Sequence, residues 1–148
     1  MIDGQAPVEV FDEIDSTLLE ARRRAERSDF GPVWLVAEIQ TAGKGRRGRA
    51  WSSLSVNLMS SYLCRADRPP SEVALLGFAA ALAIAETFDH YLGAARARLK
   101  WPNDVLIEGA KASGILLESG TQAGQPWAAL GLGVNLAAAP QGLDQKTI

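Results

Sequence analysis

Two hydrophobic periods alternate along the chain, and a few breaks separate them. Val8 to Phe11 is a short apolar alternation that predicts a first strand. Asp15-Ser16-Thr17 then supplies side-chain oxygens suited to a helix N-terminus, and Leu18, Ala21 and Ala25 recur at helical spacing. The other face of that helix carries Arg22, Arg23, Arg24 and Arg27 and reads as solvated surface. Gly31-Pro32 ends it, and Val33 to Ile39 is a β-rich apolar run that predicts an inner strand. Residues 40 to 51 carry no period and read as loop. Val56 to Leu63 predicts a second strand, followed by a turn at Pro69-Pro70. Ser71 is placed to cap a long helix running to about Tyr91, and Gly93 to end it. Thirteen residues of that helix, Val73 to Ala85, carry no charge. Such a stretch is too short for the roughly 20 apolar residues of a membrane span, so it predicts a helix buried nearly all round.

Arg96 to Trp101 reads as a strand stopped by Pro102, which lacks the ladder donor. Val105 to Ile107 and Ser113 to Glu118 flank Glu108-Gly109 and predict a hairpin. A turn over Gly120 to Pro126 leads into a last strand, Trp127 to Leu136. The polar end, Gln141 to Ile148, reads as a frayed tail. Strands joined by hairpins with two helices give an α+β fold: a mixed, largely antiparallel sheet covered by helices on one face.

Composition narrows the function classes. The chain has 148 residues, 47% of them hydrophobic, with 15 basic and 17 acidic side chains. That suits one domain spanning 1–148, with no linker or repeat, and excludes a disordered chain. A net charge of −2 argues against a protein that coats nucleic acid. One cysteine, Cys64, and one histidine provide neither a disulfide nor a zinc site. The acidic start, broken by Pro7, is no secretory signal, so the expected location is cytoplasmic.

Four segments carry candidate chemistry. The first runs Gly43-Lys44-Gly45-Arg46-Arg47-Gly48-Arg49-Ala50-Trp51. Its glycines let the backbone approach a ligand, and its cations suit phosphate or carboxylate. Trp51 offers a flat face for a base. The spacing matches neither a Walker loop nor a dinucleotide fingerprint, and a solvated basic loop or a nucleic-acid patch would look similar. The second is Lys100-Trp101-Pro102-Asn103-Asp104, which taken alone is also an ordinary Asn-Asp turn. The third is Lys111 before Ala112-Ser113-Gly114, equally readable as an exposed turn lysine. In the fourth, Gly131-Leu132-Gly133-Val134-Asn135, strand glycines mark close approach by a ligand or another backbone.

Together these segments, with Asp15-Ser16-Thr17 and Ala37-Glu38-Ile39-Gln40-Thr41-Ala42-Gly43 before them, resemble the catalytic domain of biotin protein ligases (biotin–[acetyl-CoA-carboxylase] ligase), within the biotin/lipoate protein ligase superfamily. The resemblance covers Val8 to Ala137, and it is the combination of Gly45-Arg46-Arg47-Gly48-Arg49 with Lys100 to Asp104 that is specific. It implies activation of biotin by Mg-ATP to biotinyl-5′-AMP, then transfer to a lysine of a biotin carboxyl carrier protein. It also implies site roles. Lys111, Arg46 and Asp104 would be catalytic. Ser16, Thr17, Gln40, Gly43, Lys44, Gly45 and Gly114 would join Arg46 and Lys111 around biotin. Arg49, Trp51, Lys100, Asn103 and Asn135 would join them on the nucleotide side, with Asp104 a candidate magnesium ligand. The cations would offset repulsion between an anionic carboxylate and an anionic phosphate.

Leu18 and Leu19 stand where that family usually continues with asparagine after Ser-Thr. Lys44 replaces a commoner arginine, and Ser55-Val56 a glycine-rich step. Neither the family's winged-helix DNA-binding module nor its C-terminal barrel is expected, which implies a truncated catalytic domain without DNA binding. A homodimer is expected, because the apolar strand Ser113 to Leu117 would be a hazard as an open edge. Two rivals stand beside this reading. One is a lipoate–protein ligase or octanoyltransferase; the latter uses a cysteine nucleophile, yet Cys64 lies outside every motif. The other is a degenerate, non-catalytic biotin- or nucleotide-binding module.

Overall fold

In the computed structural model, residues 5–52 and 56–137 are described. The frayed-tail expectation and the Ser55 half of the Ser55-Val56 step therefore lie outside the described residues. The elements run β1 (Val8–Ile14), α1 (Thr17–Glu26), β2 (Val33–Gln40), a 3₁₀ turn (Arg46–Gly48) and β3 (Leu58–Arg65). Then come α2 (Pro70–Val73), α3 (Leu76–Leu92), β4 (Ala97–Lys100), β5 (Asp104–Ile107), β6 (Ala110–Gln122) and β7 (Gln125–Val134). One seven-stranded sheet results, ordered β1-β2-β3-β7-β6-β5-β4. Only the β1–β2 pair is parallel, so the sheet is mixed and largely antiparallel as expected.

Turn chemistry sets the hairpins. Glu108 and Gly109 take φ of 50° and 80°, and Ala123 and Gly124 take 50° and 76°, the double left-handed geometry that matches strand twist. The second turn is thus two residues long, and Gly120, Thr121 and Pro126 lie within β6 and β7 rather than in the broad turn expected. Other boundaries move as well. β1 continues three residues beyond Phe11 because its register with β2 holds to Ile14↔Gln40. β3 begins at Leu58, and β7 stops at Val134.

The helices cover both faces, not one. Side chains of β7 alternate: Trp127 and Ala129 join Leu18, Ala21 and Ala25 of α1 in one core, while Leu130 and Leu132 pack with Ala81 of α3 in another. The long helix also departs from expectation. Ser71 lies inside α2 without capping it, because Pro69 is at the N-cap, and Ala74-Leu75, both with right-handed helical dihedrals, separate α2 from α3. Gly93 does end α3, in the left-handed region at φ 67°.

The helix is not buried all round. Within α3 only Ala81 is fully buried, and Leu82 is 51% exposed. A helix laid on a flat sheet buries one stripe, here Ala81 with Ile84, Ala85 and Phe88. No described element covers the opposite flank. The full stretch Pro70–Leu92 has 23 residues, with a mean hydropathy of 1.5 over an 18-residue window, so its length does reach that of a span; its packed stripe makes it a sheet-backing helix. The segment Ser113 to Leu117 lies inside the sheet over Ser113 to Ile115, where it faces β5 and Asn103. The sheet's edge strands are β1 and β4.

The arginine face of α1 is a network rather than a simple solvated surface. Arg23 grips Asp15 through two bonds of 2.7 and 2.9 Å and also reaches Glu20. Arg24 holds Glu9 the same way, at 2.8 and 2.6 Å, tying α1 to β1.

Candidate active site

The candidate site occupies the sheet face shared with α1. Ser16 caps α1, its Oγ accepting from the Leu19 N–H at 3.4 Å. Its own N–H donates to Asp15 Oδ1 at 2.7 Å, and the grip of Arg23 holds the Asp15 carboxyl below its ordinary value. Thr17 gives Gln40 Oε1 two bonds, from its N–H at 2.7 Å and from its hydroxyl at 3.0 Å. With its one proton committed, the Thr17 hydroxyl accepts from Ser61 Oγ at 2.8 Å. Gln40 is thereby oriented, and its amide nitrogen comes 3.0 Å from where a Cβ on Gly43 would stand. Ser61 is fully buried on β3 and is a member of this cluster that the sequence did not reveal. A serine within an apolar strand run carries no signal until its partner is known.

Beside this cluster the sheet surface is made of glycine. Gly131 lies opposite Ser61, and Gly133 opposite both Met59 and Gly114. The close approaches expected at these glycines come from side chains. Leu18 lies over Gly131, and the Trp51 indole over Gly133, where a Cβ would stand 2.3 Å from the ring. The loop carrying Trp51 is organised rather than featureless. Gly45 N–H donates to Arg49 O at 2.7 Å, Trp51 N–H donates to Gly43 O at 2.9 Å, and Lys44 bridges to Ala50. Arg47, Arg49 and Lys44 point to solvent, whereas Arg46 turns inward and donates to Asn103 Oδ1 at 3.2 Å. Asn103 in turn donates to Ile115 O at 2.9 Å.

Lys111 reaches the same place through a β-bulge. Val105 pairs with Ser113 but Leu106 with Lys111, leaving Ala112 as an extra residue. One extra residue reverses the alternation, so Lys111 faces the same side as Asp104 and Gly114 instead of α3. Its ammonium lies 2.7 Å from Asp104 Oδ1 and 5.5 Å from the Trp51 ring centroid. Both ionic side chains are largely shielded, Lys111 at 19% and Asp104 at 12% exposed. Asp104 Oδ1 has no other donor among the described residues.

Asn135 is buried, taking a bond from Asn57 and donating to Lys111 O at 3.3 Å. Lys100 is exposed at the end of β4, outside these contacts. The structure thus brings together Arg46, Trp51, Asn103, Asp104, Lys111 and Gly114, with Ser16, Thr17, Gln40 and Gly43 in a neighbouring cluster. Lys44, Arg49 and Lys100 remain apart from both. Among the described residues no three His, Cys, Asp or Glu side chains cluster for a metal, and Asp104 already faces an ammonium. These residues do not form a magnesium cage.

Cys64 packs with Ala66, Val73 and Ala128, across the sheet from this site, and burial pushes its thiol up.

The profile of the Biotin/lipoate A/B protein ligase family matches residues 11–135. A biotin–[acetyl-CoA-carboxylase] ligase of Paracoccus denitrificans is 44% identical over 128 residues, covering 85% of this chain and 53% of that protein. The fold is similar to that of Leishmania major biotin protein ligase in complex with biotin, with a TM-score of 0.81 and 26% identity. That match covers 95% of this chain and 62% of the other. Biotin protein ligase from Aquifex aeolicus in complex with biotin and ATP aligns with a TM-score of 0.71 at 27% identity, covering 96% of this chain and 58% of the other. The chain spans about half the length of the curated relatives it matches.

Proposed function

Because the chain belongs to the biotin/lipoate A/B protein ligase family, we propose that it activates biotin with ATP to biotinyl-5′-AMP and transfers the biotinyl group to a lysine of a biotin carboxyl carrier protein. The observation that carries this reading is the Lys111–Asp104 pair against Trp51 on a glycine-floored sheet face, with Arg46 bonded to Asn103, the residue next to Asp104.

In the first step a biotin carboxylate oxygen bonds to the α-phosphorus, and pyrophosphate leaves with the bond it breaks. Two anions must meet, so fixed positive charge lowers the barrier. Arg46 and Lys111 supply it, each already oriented by a partner, which spares reorganisation during reaction. Thr17 and Gln40 present fixed polar groups suited to the ureido ring, and Trp51 a flat face suited to adenine or to the covered acid. In the second step the carrier's neutral amine attacks the mixed anhydride, releasing AMP and a proton. Magnesium would arrive with the triphosphate and neutralise its charge; the protein's own work is to hold the acid and the α-phosphate.

Relatives described as biotin–[acetyl-CoA-carboxylase] ligases support the carrier of that carboxylase as the partner. We place the activity in the cytoplasm, and expect the chain to pair, since Leu75, Phe78 and Leu82 leave exposed apolar side chains along one flank of α3. Octanoyl transfer by a cysteine is disfavoured, because Cys64 lies on the other face.

ATP–pyrophosphate exchange, run with biotin and with lipoate, tests the assignment. Exchange with biotin alone supports it. Exchange with lipoate alone selects the lipoate branch, and no exchange leaves a binding module.

A further inference from the structure

We infer that Asn57 is a positioning residue for Lys111, acting through Asn135. The inference rests on the role proposed for Lys111 and adds Asn57, a residue to which the sequence reading gave no role. Lys111 and Ala112 lie at the bulge, where β6 slips out of register with β5 and regular pairing no longer fixes the backbone. A pair of buried amides takes its place. Asn135 N–H donates to Ala112 O at 2.8 Å, and its side-chain Nδ2 donates to Lys111 O at 3.3 Å. The backbone beneath the candidate catalytic ammonium is therefore held by Asn135.

Asn57 decides which way the Asn135 amide faces. Its Oδ1 accepts from the backbone N–H groups of Leu136 and Ala137, at 2.9 and 3.3 Å. Backbone donors cannot reverse, so Asn57 must direct Nδ2 at Asn135, 3.3 Å from its Oδ1. Asn135 must then present Nδ2 to Lys111. Both asparagines are buried, at 7% and 6% exposed, and water cannot readily replace a misdirected bond. The polarity set at the exit of β7 thus passes through two side chains to Lys111.

The test is Asn57→Asp. A carboxylate keeps the bonds from Leu136 and Ala137 but accepts at both oxygens, so Asn135 turns its Nδ2 toward residue 57 and its oxygen toward Lys111 O. The expected result is a loss of about tenfold in kcat for biotin-dependent ATP–pyrophosphate exchange, as displaced catalytic groups give. The biotin KM stays within about twofold of wild type, and the Ala112 backbone amide resonance moves. Asn135→Asp, which keeps an acceptor for Asn57 but sets a second oxygen against Lys111, gives the same pattern from the other end. In a Lys111→Ala background, Asn57→Asp produces no further loss. Four outcomes overturn the inference: unchanged kcat in a folded variant, a loss confined to KM, full additivity with Lys111→Ala, or cooperative unfolding of both asparagine variants. If wild-type protein shows no exchange with biotin, the proposed activity falls by itself. The Ala112 resonance in folded Asn57→Asp then decides the inference, movement upholding it and no movement overturning it.

Discussion

Lys111 and Asp104 meet at 2.7 Å only because Ala112 is an extra residue in β6. Without that bulge, Lys111 would pair with Ile107 and project toward α3, while Asp104 faced the other side. A single inserted residue therefore builds an ion pair under Trp51, and the pair holds the ammonium where charge would develop during adenylation.

Lys111→Ala removes a cation that acts mainly as charge builds. Steady-state exchange is expected to show kcat reduced by more than about a hundredfold with biotin KM changed only a few-fold. A change confined to KM would falsify a transition-state role. The variant also leaves Asp104 Oδ1 without its partner, which should cost about 1–3 kcal/mol in urea unfolding.

Gly133→Ala places a methyl group into the Trp51 indole. Because Trp51 is carried by a loop, the ring can leave its seat more cheaply than the sheet can deform. Expected are an indole fluorescence change and at least tenfold weaker adenylation, with the melting temperature within a few degrees of wild type. A large drop in melting temperature with unaltered fluorescence would show that the sheet, not the loop, had given way.

Arg46→Gly removes both the contact with Asn103 and the cation that faces the joined anion. Adenylate is still expected to form, but its release, followed by trapping of labelled product, should accelerate by one to two orders of magnitude, the range of a lost charged bond. Abolished formation with unchanged release would show that Arg46 acts only on the barrier and does not retain the adenylate.

Arg23 holds Asp15 ionised below the ordinary aspartate value of 3.8. A depressed carboxyl contributes stability that is present above that value and lost as pH falls through the folded one. Wild type should therefore exceed Arg23→Met in urea midpoint at pH 6 to 7, and the gap should narrow below about pH 4. Both side chains are partly exposed, so the gap corresponds to less than about 1 kcal/mol. A gap that widens with acid would contradict the pairing.

Local rules, which depend on residues close in sequence, were legible in the chain. Apolar runs bounded by turn residues gave the strands, Glu108-Gly109 gave a hairpin, Gly93 the end of α3, and spacing gave the α1 stripe of Leu18, Ala21 and Ala25. The motif residues Arg46, Asn103, Asp104 and Lys111 were identifiable because unusual residue types cluster around glycine and proline. Sequence could not say that α1 and α3 lie on opposite faces, since an apolar stripe records that it is buried and not against what. For the same reason it overstated the burial of α3, whose composition exceeds the one stripe a sheet can cover. Only tertiary structure decided that Lys111 turns toward Asp104, that Ser61 completes the Thr17–Gln40 cluster, and that Asn57 orients Asn135. The first depends on a bulge inside the β5–β6 hairpin, and the other two on contacts between segments distant in sequence; a shift of one residue in register sends every side chain to the other face.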